Sequence, residues 1–246
     1  MDFAAPYKAH TRRILVAEES RERALELAIG AGDPQEFLAT GELQRQLLVA
    51  HGLRLEDSLV EIGCGSGRLA VQLLGWLRGS YLGLDVVPAL LDRAQEIAAG
   101  PNMRYQCVNG LTIPTDPGSV DMVCAFSVFT HLRHEESYSY LNDAMRALRP
   151  GGRVVFSFLE YRVPSHWHVM EANLDSIGDS GVLNQFMSSD AVEVWAEHLG
   201  ADLVGLFRGD ETFIPLAKPI QLNGHEYRDM GTFGQSVAVY RKPTNA

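Results

Sequence analysis

Three glycines at alternate positions, Gly63, Gly65 and Gly67, follow the short apolar run 59–62 and precede a helix-like stretch at 69–77. Glycines in such a strand-to-helix turn let the backbone bend tightly and approach a ligand closely. The helix behind them offers unpaired N–H groups. A pyrophosphate-binding turn has the spacing G-x-G-x-x-G. Here the spacing is G-x-G-x-G, and an acid, Glu61, stands two residues before the first glycine. Glu61 would repel an anion and welcome a ligand with a cationic end; the bland alternative is a tight structural turn with a surface acid. Asp85 ends the next apolar run, where a carboxylate can accept two ribose hydroxyls, or else merely caps the following helix. Asn109 begins the loop after the third run, with an amide suited to an adenine edge or to a plain Asx turn.

Histidine is the usual general base near neutral pH, and the chain has eight. His131 falls just past the fourth apolar run, at the end of a sheet where ligands bind. Its structural alternative is to cap the helix starting near 135 or to pack beside Leu132. His166 and His168 flank Trp167 in an irregular segment; they are candidate catalytic contacts to an acceptor, and two ligands alone are weak grounds for a metal. Tyr161, Trp167 and Phe186 offer an aromatic wall or simply core. His225 and Tyr227 lie in a late loop able to act as a lid. No pair among the three cysteines, Cys64, Cys107 and Cys124, has zinc-site spacing, so no zinc site is expected. Only Lys8, Lys218 and Lys242 are lysines, all far from the glycine turn, which argues against Schiff-base and P-loop chemistry.

The elements around these residues alternate. Strands are expected at 59–62, 81–84, 103–108, 120–126 and 154–158, and helices at 69–77, 89–98 and 135–148. Such alternation predicts an α/β fold with a doubly wound, mostly parallel sheet. A helix at 191–199, with Asp190 as a plausible N-cap, and strands at 201–207 and 235–240 bring the sheet to seven strands. Ahead of it, helices are expected at 12–29 and 42–50, with Gly30, Gly32 and Pro34 ending the first. Pro150-Gly151-Gly152 reads as a turn into the fifth strand.

Taken in order, Glu61 to Gly67, Asp85, the loop from Asn109 to Pro114, the strand Asp121 to Phe126, the segment Phe129-Thr130-His131-Leu132 and Leu148-Arg149-Pro150-Gly151-Gly152 resemble the class I S-adenosylmethionine-dependent methyltransferases. The resemblance is close over about residues 40–160 and topological beyond. It implies a Rossmann-like fold and S-adenosylmethionine as cofactor, with S-adenosylhomocysteine as product. It implies that Gly63, Cys64, Gly65 and Gly67 line the methionine part, that Glu61 orients the loop and senses the ammonium, and that Gly41 closes over the carboxylate. Asp85 would hold the ribose, with Val86 and Leu90 beside the adenine. Asn109, where the family usually has Asp, would meet the adenine amino group together with Gly110 and Leu111. Phe126 and Ser127 would face the sulfonium. Amino-methylating nucleic-acid enzymes carry (Asp/Asn)-Pro-Pro-aromatic after the fourth strand; Ala125-Phe126-Ser127-Val128 departs from that, so an O or N atom of a small molecule is the expected acceptor.

The resulting expectation is one methyltransferase domain over 1–246. It would comprise an N-terminal helical cap at 1–52, a cofactor-binding core at 53–160, and acceptor-side insertions at 161–188 and 209–232. Two alternatives share the glycine turn: an S-adenosylmethionine-binding enzyme that rearranges or cyclises the cofactor, and a nicotinamide oxidoreductase, against which stand Glu61, the glycine spacing and the lack of a Tyr-x-x-x-Lys pair. The formal charge, 21 basic against 31 acidic side chains or −10, disfavours nucleic acid and anionic membrane as partners. No run approaches ~18 apolar residues, and the first residues lack the apolar core of a signal peptide. Unpaired cysteines fit a reducing compartment, so a cytoplasmic enzyme of biosynthesis, monomer or homodimer, is expected.

Overall fold

A computed structural model of the chain describes residues 4–175 and 182–244. Three helices lead, α1 (Ala5–Ala17), α2 (Arg21–Ala28) and α3 (Pro34–Ala50). There follow β1 (Leu59–Ile62), α4 (Arg68–Leu73), β2 (Tyr81–Asp85), α5 (Pro88–Ile97), β3 (Met103–Cys107), β4 (Val120–Ala125), α6 (His134–Ala147) and β5 (Leu148–Glu160). The last part holds α7 (Trp167–Asp175), α8 (Ser189–His198), β6 (Asp202–Phe207) and β7 (Ser236–Arg241).

The seven long strands lie in the order β3-β2-β1-β4-β5-β7-β6. β1 to β5 run parallel, and β7 is antiparallel to both its neighbours. A two-residue strand, Phe186–Met187, pairs with the end of β5 and makes an eighth. Strand order reverses between β1 and β4, and open parallel sheets bind ligands at the carboxyl ends of such a pair.

The sheet is covered on both faces, so its central strands read as nearly continuous apolar runs. Val60, Ile62, Val123 and Ala125 point into one core with α6 and α8, while Leu59, Met122 and Cys124 point into the other with α3 and α4. Glu61 interrupts β1, a carboxylate in a strand buried throughout.

Several expected boundaries are corrected. The helix expected over 12–29 is two helices. Glu18 turns extended (ψ 135°), and Ser20 caps α2 by accepting the Arg23 N–H. The break leaves Glu18 and Glu22 exposed, where one straight helix would set them on the apolar side. Pro34 starts a helix instead of stopping one. It occupies the first turn of α3, where its missing N–H costs nothing, and Asp33 accepts the Glu36 N–H at 2.8 Å. Ser188, not Asp190, sits at the N-cap of α8. Pro150-Gly151-Gly152 lies within β5, and residues 164–175 of the irregular segment form a short turn and α7. Residues 176–181 of the expected 161–188 insertion lie outside the described residues.

Candidate active site

The carboxyl ends of β1, β2 and β4 open into a cavity of about 520 Å³. The glycine turn forms one wall. Gly63, Gly65 and Gly67 have φ of 68°, 53° and 90°, left-handed values that disfavour other residues. Space is also short: a Cβ on Gly63 would clash with Val128 Cγ2, and one on Gly67 would stand 3.0 Å from the Ala94 Cα. The turn is thus held between the loop after β4 and α5, with its backbone bare toward the cavity.

Asp85 ties β2 to this turn. Its Oδ2 accepts the Gly65 N–H at 2.9 Å and its Oδ1 the Val87 N–H at 2.9 Å. Each oxygen keeps a further lone pair for a ligand hydroxyl. Burial raises the carboxyl to about 6, partly offset by hydrogen bonds from Val87, Gly65 and Val86. Glu61 accepts the Tyr81 hydroxyl, and burial raises its carboxyl to about 7, with that bond and Arg68 pulling the other way. Arg68 lines the same cavity and is destabilised as a cation by burial, against the favourable fields of Glu61, Tyr7 and Glu36. No ion pair or hydrogen bond joins its guanidinium to another of the described residues.

α1 closes the cavity from the other side. The Tyr7 hydroxyl donates to Ala28 O at 2.8 Å, and its ring lies 5.9 Å from His10 and 5.4 Å from His131. His131 Nδ1 lies 2.8 Å from Leu183 O. A carbonyl only accepts, so Nδ1 carries the proton and Nε2 keeps its lone pair. Burial pushes the imidazolium of His131 below its ordinary range, which keeps the ring neutral at pH 7.

Beyond β4, Ser127 adopts φ 57°, its N–H donates to Ser157 Oγ at 2.8 Å, and Gln235 joins both serines. Phe126 and Phe233 meet edge to face at 5.7 Å beside them. The remaining wall is largely apolar, with Leu159, Val169 and Leu222.

The structure brings Glu61, Gly63, Cys64, Gly65, Asp85, Val86, Phe126, Ser127 and His131 to one cavity. Others fall elsewhere. Gly67 sits behind the turn, against α5. Gly41 packs on the Arg68 backbone, while its helix sends Thr40 and Gln44 to the cavity instead. Leu90 is fully buried behind Val86, in the cluster with Leu25 and Ala28. Asn109 is exposed and accepts from Lys8 Nζ at 3.5 Å, and Val108 lines the cavity in its place. Gly110 accepts the hydroxyl of Tyr140, and Leu111 packs on the core under α6.

Two expected catalytic histidines are corrected. His166 is buried with both ring nitrogens on backbone groups: Nδ1 accepts the Glu160 N–H at 2.8 Å, and Nε2 donates to Gly234 O at 2.8 Å. It fastens the end of β5 to the loop that leads into β7. His168 is exposed on α7 and lines no part of the cavity. Tyr161 meets Phe186 ring to ring at 5.3 Å and accepts the Trp167 Nε1–H on its carbonyl, all outside the cavity, as are His225 and Tyr227 in the short antiparallel pair 220–222 and 225–227. Sequence reasoning missed Tyr7, Gln44, Arg68, Phe233 and Gln235. Arg68 had a signal in its place directly after Gly67; the others reach the site only through tertiary packing.

A family model described as a methyltransferase domain matches residues 59–152. The ubiquinone biosynthesis O-methyltransferase of Methylococcus capsulatus is 25% identical over 228 residues, covering 87% of this chain and 89% of that protein. The tRNA U34 carboxymethyltransferase of Hahella chejuensis is also 25% identical, over 197 residues, and the chain spans 59% of its length. In fold, the chain matches the crystal structure of magnesium protoporphyrin IX methyltransferase from Synechocystis PCC 6803 with bound S-adenosylhomocysteine. There the TM-score is 0.59 at 16% identity, covering 90% of this chain and 93% of that one.

Proposed function

Since the chain is a class I S-adenosylmethionine-dependent methyltransferase, we propose that it methylates an O or N atom of a small molecule held at the Phe126–Ser127 end of the cavity. When bound, S-adenosylmethionine supplies a methyl group activated by a sulfonium. The residues present fit that group. The cavity is of ordinary ligand size, and side-chain-free glycines face it. Arg68 is free to meet a carboxylate, and Glu61 can meet an ammonium. Asp85 can accept two ribose hydroxyls. The expected roles of Asn109, Gly110 and Leu111 toward adenine give way in this reading to Val86 and Val108.

The chain's own contribution is to enclose, orient and deprotonate. α1 and Tyr7 exclude water over the cofactor half. Phe126 and Phe233 hold the acceptor in line, converting a bimolecular encounter into a positioned one. His131, neutral and with Nε2 unpartnered among the described residues, takes the acceptor's proton.

The observation that carries the reading is the enclosed, largely apolar acceptor end continuous with the cofactor half. A small molecule fits there, whereas a net charge of −10 disfavours a polynucleotide.

The test is a thermal-shift comparison of S-adenosylhomocysteine, S-adenosylmethionine and NADH, followed by analysis of the product. A ligand at 100 times its Kd adds about 2.7 kcal/mol, or roughly 5–11 °C at this size. A rise with the first two alone, with S-adenosylhomocysteine formed on adding acceptors, is expected. A cofactor product other than S-adenosylhomocysteine would instead favour rearrangement of the cofactor.

A further inference from the structure

Gln235, the residue before β7, lines the cavity, and its carboxamide lies beside Ser127. Its orientation is fixed by two hydroxyls. Ser157 Oγ donates to Gln235 Oε1 at 2.6 Å, and Ser127 Oγ donates to the same oxygen at 3.3 Å. The 2.6 Å separation is an O–H···O distance and is too short for an amide N–H donor. Ser157 Oγ in turn accepts the Ser127 N–H. The acceptor side of Gln235 is therefore spent on protein, and its Nε2, with two N–H donors, takes no partner among the described residues.

The arrangement is maintained at a cost. Ser127 is a non-glycine residue at φ 57°, a left-handed conformation that persists where surroundings over-determine it. Here the Ser157 hydroxyl holds its N–H and the Thr130 hydroxyl its carbonyl. The strained turn aims the serine hydroxyl at Gln235. Phe126 and Phe233, edge to face at 5.7 Å, flank the pair with flat apolar surface.

Resting on the reading of this cavity as a methyltransferase site, we infer that Gln235 is the specificity-determining donor for the acceptor. We further infer that the acceptor is a hydroxylated planar compound, a phenol or enol, whose oxygen Gln235 holds in its ionised form. Two neutral N–H donors favour an oxyanion over an uncharged amine, which itself must donate. An aromatic-lined slot favours a flat skeleton. The proton lost on ionisation passes to His131 Nε2.

The probe is 4-nitrophenol, whose phenol and phenolate forms absorb at different wavelengths, with uncharged 4-nitroaniline as its nitrogen counterpart. Both are titrated against the protein saturated with S-adenosylhomocysteine. In the wild type, bound 4-nitrophenol is expected to ionise at lower pH than in solution. Gln235→Leu is expected to weaken phenolate binding at least about tenfold, the scale of one hydrogen bond to a charged group. It should leave 4-nitroaniline and S-adenosylhomocysteine within about twofold. Gln235→Glu is expected to raise the ionisation pH of the bound phenol above the wild-type value.

Equal phenolate binding by wild type and Gln235→Leu would overturn the inference. So would an equal loss of phenolate and aniline, which marks lost packing, or no saturable phenolate binding by the wild type. Calorimetry of S-adenosylhomocysteine alone separates the two levels. Its failure to bind the wild type removes the underlying reading, whereas its binding without phenolate removes only the role of Gln235.

Discussion

The Gly65 N–H donates to Asp85 Oδ2 at 2.9 Å, so one carboxylate joins the glycine turn after β1 to the end of β2. With its other oxygen on the Val87 N–H, Asp85 also opens α5. The bland expectation of a helix cap and the functional expectation of a ligand contact are thus both available to one side chain, because a carboxylate has about four acceptor positions. Asp85→Ala is expected to weaken S-adenosylhomocysteine binding at least about a hundredfold, from two lost hydrogen bonds of ~1.5–3 kcal/mol each. Circular dichroism should show the fold retained. Calorimetry giving unchanged affinity would refute the ribose contact.

Glu61 makes stability depend on pH in an unusual direction. Burial raises its carboxyl to about 7 from an ordinary 4.5, so the folded chain binds this proton more tightly than the unfolded one. Its contribution is complete below pH 4.5 and is lost as pH rises through 7. Asp85, raised to about 6, acts in the same sense. His10, His51 and His131, lowered by burial, act oppositely below 6.5. Comparing wild type with Glu61→Gln cancels most of these other groups. The variant is expected to gain on the wild type between pH 5 and pH 8, by on the order of 3 kcal/mol. A melting-temperature gap that stays constant over that interval would show that Glu61 titrates normally.

What the sequence made legible follows from local physics. The parallel strands could be read because burial on both faces leaves no polar alternation, as in β4. Asp85 could be read because it ends such a run, and the glycine turn because few residues tolerate its geometry. An N-terminal helical cap was expected, but its contacts with the cavity were not legible. α1 has no sustained apolar stripe, and the meeting of Tyr7 with His131 joins residues separated in sequence by the strands β1 to β4. Nor does anything near His166 announce that its two nitrogens will be taken by Glu160 and Gly234. Asn109 shows the opposite failure. Its place after β3 is the one expected, yet the loop carries its side chain outward to Lys8.

Arg68 offers a test that separates the two halves of the ligand. Its guanidinium faces the cavity with no ion pair among the described residues, and burial disfavours its charge. A ligand carboxylate would relieve that cost. Arg68→Met is expected to weaken S-adenosylhomocysteine binding about tenfold or more, the scale of a charge-assisted bond. Adenosine, which lacks the carboxylate, should bind wild type and variant within about twofold. Equal losses for both ligands would place Arg68 in the architecture of the turn and not in contact with the carboxylate.

His131 carries the proposal about proton transfer, and its surroundings set the terms of the test. Its Nδ1 is held by Leu183 O, and its ring lies against Tyr7, so Nε2 is the basic atom and the ring is fixed in place. Because burial lowers the imidazolium's pKa, the base form is present through neutral pH, and activity should fall only as pH drops below the ordinary histidine range. His131→Ala is expected to lower kcat for methylation of a phenol by roughly 10²–10⁴, the usual range for a general base. S-adenosylhomocysteine affinity should stay within about twofold. The acidic limb of the kcat profile should disappear with the side chain. A variant whose kcat stays within about twofold, or which keeps that acidic limb, would show that another group accepts the proton and that His131 serves only to seat Tyr7 over the cavity.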